Sequence, residues 1–405
     1  MGENLMLNNL WMIMATILVF IMHIGFAALE AGLTRQKNTI NILYKNSIIP
    51  SVGILTYAFI GYNIMHAEDL KGLLRIGVYF PDGNDGFDTI DDQYTNYTHF
   101  IFQAMFAATS ATIVSGGVAE RIKLRPFLLF STFYIGLCFP IVARWKWGGG
   151  FMDNWEVPFY DFAGSTLLHS AGGWAALIGA IVVGPRLGKF TNGKIKAFPG
   201  HNIPLATLGV FLLWFGWFGF NGGSLGSAEP GQLSRIFVTT GVAAAAASVG
   251  AHFTSYYQFK TFDVTMVLNG ILAGLVAITA GADVMNIWQA GLIGFVAGVM
   301  VIFGVIFMDK IKVDDPVGVV PVHLLSGIWG TLAVGLIGEK AGLGQLLSQG
   351  LGILIVGGFC VGFSLIFFLA IKKVFGLRVP ETVEREGLDI HEHSMHAYPY
   401  FGRKE

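Results

Sequence analysis

Two histidines placed alike in two apolar stretches are the residues best suited to chemistry. Asp161 to Gly173 reads DFAGSTLLHSAGG, and 154 residues later Asp315 to Gly327 reads DPVGVVPVHLLSG. The shared pattern D-x2-G-x4-H-x3-G pairs Asp161 with Asp315, Gly164 with Gly318, His169 with His323 and Gly173 with Gly327. Ionisable side chains at bilayer depth are costly and normally face a bundle interior, so a duplicated one reads as a functional site. On a helix the step from Asp to His rises about 12 Å, placing the acid near a span's end and the histidine about two turns inside. Neutral imidazole carries one donor and one acceptor. Two touching rings therefore share one hydrogen bond and still offer a donor and an acceptor to a small polar guest. Two readings compete: each histidine only pins helices through a neighbouring carbonyl, or the pair ligates a haem from facing helices.

The elements that must hold these residues are membrane spans. Of 405 residues, 54% are hydrophobic and 13% charged, and the mean hydropathy is +0.62, which excludes a water-soluble globular domain. A net charge of −1 gives no footprint for nucleic acid. Eleven stretches are long enough to cross the hydrocarbon: 8–32, 40–64, 99–119, 126–144, 162–184, 203–225, 235–257, 262–281, 286–308, 318–338 and 347–374. The first is read as a mature span rather than a signal peptide, because it lacks a basic start and runs into GLTRQKN. With the N-terminus outside, 19 of the 25 Lys and Arg fall inside, Lys45 among them, and 6 outside. The positive-inside rule thus predicts a multi-pass cell-membrane protein, N-terminus out and C-terminal tail (376–405) in the cytosol. Two copies of one motif five spans apart imply two five-helix halves (about 8–184 and 203–338) inserted upside down relative to each other, with 347–374 as an extra helix. Asp161 then starts its span outside and Asp315 inside. Small-xxx-small pairs such as Gly270/Gly274 and Gly294/Gly298, with the alanine run 243–247, predict close helix contacts.

Aromatic residues make a second constellation: Phe102 and Phe106, Trp147 before a triple glycine, and Trp217 and Phe220 ahead of Ser224. Trp147 and Ser224 fall at predicted outer ends, where a ring face and a hydroxyl can hold a small cation; the plain alternative is an aromatic belt. The acidic outer loop carries Asp82, Asp85, Asp88, Asp91 and Asp92, and fits either a cation-gathering mouth or a solvated loop. It is no calcium loop, since Gly86 and Gln93 stand where carboxylates are needed. Asn96-Tyr97-Thr98 is a glycosylation sequon. Cys138 and Cys360 have no metal-ligand spacing and read as small hydrophobes.

Taken in order, GFAALEAGLTRQKN, FQAMF, AERI, WKWGGG, DFAG-x4-H, LLWFGWFGFNGGS, DDP-x6-H and GLDIHEH resemble the ammonium transporter (Amt/Mep/Rh) family, Amt-type, over essentially the whole chain. The resemblance implies an all-α membrane fold of eleven transmembrane helices, two inverted five-helix repeats plus one extra helix, assembled as a homotrimer with one pore per subunit. It implies an outer ammonium site of Phe106, Trp147 and Ser224 with Phe102 nearby, a gate of Phe106 and Phe220, and a pore of Trp217, His169 and His323 with Asp161 as the buried acid. Neither cofactor nor metal is implied, and the activity is permeation rather than catalysis. Ammonium would be recruited outside and deprotonated, and ammonia would pass the histidines with or without the proton. A different reading is an ammonium sensor reporting to a cytosolic module; the chain runs to Glu405 without one, which favours transport. This chain departs from the family at Gly318, where another Asp is usual, and at Pro321 and Leu324 around His323. Proline can loosen or kink a helix. In the tail, HEHSMHAYP stands where the family usually has a Gly-Glu, at the expected docking site for a trimeric PII-type regulator.

Overall fold

The computed structural model describes residues 2–66, 85–90 and 92–398. Helices dominate: α1 (Gly2–Leu33), α2 (Thr39–Thr56), α3 (Tyr62–His66), α4 (Asn96–Val118), α5 (Leu124–Phe133), α6 (Phe139–Lys146), α7 (Ala171–Val183) and α8 (Ile203–Gly223) come first. They are followed by α9 (Pro230–Phe259), α10 (Val264–Ile278), α11 (Ile287–Lys310), α12 (Ser326–Leu336), α13 (Leu343–Phe375) and the short tail helices α14 (Glu381–Glu386) and α15 (Leu388–His393). Among the described residues, nine helical stretches are long and apolar enough to cross a membrane, and 264–278 and 320–336 are shorter apolar helices. The exposed faces of the long helices are greasy, as with Ile17, Phe20 and Ile24 on α1 and Leu351, Leu354 and Ile366 on α13. Such faces suit lipid rather than water.

Among the described residues, four π-helical segments interrupt these helices: Tyr57–Gly61 joins α2 to α3, Tyr134–Cys138 joins α5 to α6, and Ser165–Ser170 and Val320–Leu325 lead into α7 and α12. The last two carry the paired histidines. π segments are rare and recur at functional sites, since the extra residue re-aims side chains.

Close approach is bought with small residues. A Cβ at Gly294 or Gly298 would lie 2.1 or 2.0 Å from the carbonyl oxygens of Ala243 and Ala247, so the alanine run of α9 is where α11 touches its backbone. The Sγ atoms of Cys138 and Cys360 lie 4.0 Å apart in the packing of the α5–α6 span against α13.

Charged residues form two buried clamps. Glu30 accepts from Lys45, Asn46 and Ser115. Lys45 is therefore not a solvated loop cation, as its place in the charge count had it; its ammonium is fully buried, 3.2 Å from Glu30. Between helices, Glu120 accepts from Arg35, Asn38 and Arg186, while Arg186 also grips Asp314 and Arg121 donates to the Asp314 carbonyl. Burial alone would raise the Asp314 carboxyl, but hydrogen bonding and charge from Arg186 hold it below the usual carboxylate range. Burial lowers Arg121 to about 10 despite Asp314.

The tail is docked. Asp389 accepts from the Asn41 N–H at 2.9 Å, and Glu392, within HEHSMHAYP, accepts from the Asn41 side chain at 2.7 Å and from the Leu124 N–H at 3.1 Å. Of the acidic loop, Asp82 and Asp91 lie outside the described residues. Asn96 of the sequon is buried and donates to the Asp85 carbonyl. It is not presented as a glycan acceptor must be.

Candidate functional site

Asp161 sits just ahead of its helix rather than on it. Its Oδ1 accepts from the N–H groups of Gly164 and Ser165 at 3.0 and 2.8 Å, and its Oδ2 from Thr166 and Leu167 at 2.8 Å each. One carboxylate thus satisfies the orphan donors of a helix start deep in the protein. Asp315 repeats the device on Gly318, Val319 and Val320. Gly164 (φ 109°) and Gly318 (φ 79°) turn the chain from each Asp into each π segment, a backbone region that disfavours a side chain. The expected unbroken helical step from Asp to His is corrected accordingly. The left-handed glycine breaks it, and the histidine is delivered by a π turn.

Gly173 and Gly327 bring the two segments together. A Cβ at Gly173 would lie 2.7 Å from the Leu324 nitrogen, and one at Gly327 2.3 Å from the Ser165 oxygen. Each segment's glycine therefore receives the other's backbone. Pro321 falls at the first turn of its segment, a position where its missing N–H leaves no helical hydrogen bond unmade.

At this crossing the Nδ1 atoms of His169 and His323 are 3.2 Å apart, with rings 5.3 Å between centroids and 18° from parallel. If one Nδ1 donates, that ring's Nε2 is a bare acceptor and the partner's Nε2 a donor. His169 Nε2 is buried and unpartnered. The direct contact leaves no slot for a porphyrin between the rings, which removes the haem reading. Nor does either ring pin a carbonyl through the nitrogen it shares. Among the described residues no cluster of three or more His, Cys, Asp or Glu could hold a metal.

The aromatic residues continue the line. Trp217 stacks on His169 (5.0 Å, 16°) and donates from Nε1 to Thr279 Oγ1 at 2.9 Å. Phe220 lies 5.4 Å from His169 and stacks on Phe106 at 4.1 Å and 14°. Beyond this ring pair is a pocket of about 140 Å³ lined by Phe102, Phe106, Trp147 and Ser224, together with Tyr94, His99 and Gln103. Trp147 donates its Nε1–H to the Asp161 carbonyl at 3.0 Å, which fixes its ring, and Ser224 donates to the Phe220 carbonyl at 2.9 Å, which leaves its lone pairs to accept. All the candidate residues, Phe102, Phe106, Trp147, Asp161, His169, Trp217, Phe220, Ser224 and His323, are thus strung from one pocket to the buried pair. A second cavity of about 370 Å³ lies at the start of the second motif, lined by Asn269, Asp315, Gly318 and Pro321 among others.

Sequence reasoning missed Gln103, Thr279 and Asn269. Gln103 and Asn269 each have a buried, unpartnered side-chain oxygen, Gln103 lining the first pocket and Asn269 the second cavity, and nothing in their local sequence marks them as different from other polar residues in spans.

The profile of the Ammonium Transporter Family matches residues 10–398. The chain belongs to this family. It is 41% identical over 399 residues to the putative ammonium transporter sll1017 of Synechocystis sp., covering 96% of this chain and 88% of that one. To ammonium transporter Amt2 of Archaeoglobus fulgidus it is 37% identical, covering 99% of this chain and 90% of that protein. A solved structure entitled Sensor Amt Protein superposes with a TM-score of 0.90 at 36% identity, covering 96% of this chain and 99% of that one. Candida albicans Mep2 gives a TM-score of 0.84 at 25% identity, with 93% and 87% covered.

Proposed function

We propose that this protein conducts ammonium nitrogen across a membrane by the route its geometry lays out. The observation that carries the reading is the unbroken order of pocket, stacked Phe106/Phe220, and His169/His323 within one line of contacts. The pocket offers what a small cation needs, aromatic faces and unspent oxygens on Ser224 and Gln103. A bare cation at the bilayer midplane is heavily penalised, while uncharged ammonia is not. Desolvation disfavours the charged form, so ammonium sheds its proton on leaving the pocket inward. Ammonia then passes as the two phenyl rings swing, and the histidine pair gives it one acceptor and one donor where the wall is otherwise dry.

In this reading 1–375 is the transmembrane domain of eleven crossings, with 264–278 and 320–336 as its shorter members, and 376–405 the cytosolic tail. The Asp161/Asp315 caps and the reciprocal glycine contacts support two inverted halves. The Trp147/Ser224 pocket is the outer mouth, the N-terminus is outside, and the functional unit is a homotrimer. The docked tail offers Glu392 and its neighbours as the surface for a cytosolic PII-type regulator.

The test is growth of a cell lacking its own ammonium uptake on ammonium below about 1 mM at acidic pH, where free ammonia is scarce. Rescue by the wild type and none by His169→Ala/His323→Ala supports conduction. No rescue by correctly inserted wild-type protein overturns it. A second reading, an ammonium sensor with the same pocket, is favoured by the likeness to the Sensor Amt Protein. It predicts ammonium binding without rescue.

A further inference from the structure

Tyr160 is followed directly by Asp161, the acid that caps the π segment of His169, and the irregular stretch 158–163 that presents both is held from two sides. On one side the Phe162 and Ala163 N–H groups donate to the carbonyls of Ala280 and Thr279 at 3.0 and 3.1 Å. On the other stands Gln349 of α13, a fully buried side chain on a helix that carries neither motif. Its Oε1 accepts from the Tyr160 N–H at 2.8 Å and its Nε2 donates to the Tyr160 carbonyl at 2.6 Å, the pair of bonds that a neighbouring β-strand residue would exchange. Nε2 also donates to the Thr331 carbonyl on α12 at 3.0 Å, and Oε1 takes a second donor, Gln345 Nε2, at 2.9 Å.

All four hydrogen-bonding positions of this amide are therefore used. Its orientation is settled as well, because a backbone N–H can only donate and the two carbonyls can only accept; turning the amide over would set donor against donor and acceptor against acceptor. Peptide groups are planar, so the bond to the Tyr160 carbonyl orients the plane joining Tyr160 to Asp161, and the bond from Phe162 to Ala280 orients the plane joining Asp161 to Phe162. The second plane contains the Asp161 carbonyl, which accepts the Trp147 Nε1–H at 3.0 Å. Trp147 in turn meets Phe106 edge-on (6.1 Å, 78°) in the wall of the outer pocket. We propose that Gln349 is a positioning residue for that pocket: by locking Tyr160 to α12 it sets the Asp161 carbonyl, and through it the angle at which the Trp147 ring faces the ion. The proposal rests on the pocket being the ammonium site.

The device needs an amide. Gln349→Met keeps the length of the side chain and removes its donors and acceptor, so the Tyr160 N–H and the carbonyls of Tyr160 and Thr331 all lose this partner. Gln349→Glu is the partial case: it keeps an acceptor for the Tyr160 N–H and supplies at most one donor for the two carbonyls. Released from Gln349, Tyr160 is still tied by its side chain, whose hydroxyl donates to Asp283, so the stretch loosens at its backbone and stays in place. A side chain that only glued α13 to its neighbours would behave differently. Its loss would lower the amount of folded protein and leave the affinity of the remainder unchanged.

The experiment is an ammonium binding isotherm on the purified protein in detergent, for the wild type, Gln349→Met, Gln349→Glu, Trp147→Phe and each Gln349 variant combined with Trp147→Phe, all taken from the monodisperse fraction. A ring facing a desolvated cation contributes up to about thirtyfold in affinity, so Gln349→Met should weaken binding by about threefold to thirtyfold, with Gln349→Glu between it and the wild type. Trp147→Phe has no indole N–H left to place, so adding Gln349→Met to it should change affinity by less than about twofold, the limit of independent effects. Wild-type affinity in both Gln349 variants, or a Gln349 effect of the same size with and without the indole, would overturn the proposal while the pocket stands. Where Gln349→Met yields no folded protein, Gln349→Glu carries the same comparison. No saturable binding by the wild type would remove the pocket reading and the proposal with it.

Discussion

Replacing Asp161 by Asn removes one charge and almost no volume, yet the structure makes it an expensive change. The carboxylate accepts four backbone N–H groups, two on each oxygen. An amide retains one oxygen and turns the other position into a donor, so at best two of the four remain paired. The other two are buried donors facing an NH₂ group. Each unsatisfied buried donor costs about 1–3 kcal/mol, so Asp161→Asn should lose about 2–6 kcal/mol. Asp315 supplies an internal control. Its Oδ1 takes two N–H groups and its Oδ2 one, at 2.7 Å, so Asp315→Asn orphans one donor and should lose about 1–3 kcal/mol. The assay is unfolding of each purified variant in one detergent, with folded protein quantified by its trapped fraction rather than by melting temperature alone. Asp161→Asn should be about twice as costly as Asp315→Asn. Equal losses, or an Asp161→Asn protein as stable as the wild type, would refute the claim that these acids act as caps of the π segments.

Phe220→Ala deletes a fully buried ring stacked on Phe106 and should cost about 3–5 kcal/mol; it should also open His169 to the pocket, read as faster exchange of a ring-directed chemical probe at His169. Asp314→Asn breaks a buried ion pair and should cost about 3–5 kcal/mol at neutral pH. Because Arg186 holds the Asp314 carboxyl below the usual range, that contribution is full above the ordinary carboxylate pKa of about 3.9 and is lost as pH falls through the lower folded value. The wild type should therefore lose stability relative to Asp314→Asn only in strong acid, and a gap closing already near pH 6 would contradict the pairing. Expression in a glycosylating host should leave the electrophoretic mobility unchanged by Asn96→Gln, since Asn96 is buried.

What the sequence made legible was whatever a repeated spacing encodes. The pairing of His169 with His323, and of each with an acid and two glycines, needed only the pattern and the cost of ionisable groups in lipid. The span positions followed from hydropathy, within a few residues at most ends. The manner in which the motifs fold was not legible: a run such as STLLHS carries no local mark distinguishing a π turn from an α turn, and the choice is made by Gly164 in a left-handed conformation and by Asp161 collecting four N–H groups. Long-range partners were equally silent. Lys45 reads as a loop cation until Glu30 is found beside it. His66 and His99 read as unrelated residues until the fold sets their ring nitrogens 3.4 Å apart. Gln103 and Asn269 carry no mark in their local sequence that sets them apart from other polar residues in spans; only the fold puts them at the two cavities.

The central claim is that ammonia travels from the Trp147/Ser224 pocket past the stacked rings and through the histidine pair. Stopped-flow recording of lumenal pH in proteoliposomes given an ammonium pulse tests it most directly, with His169→Ala/His323→Ala alongside and surface-bound electrodes reporting charge. The account predicts wild-type alkalinisation well above protein-free vesicles, without a sustained current, and at least about a tenfold loss in the double variant whose pocket still binds ammonium. Equal rates in both proteins, or a brief binding transient as the wild type's only response, would contradict it.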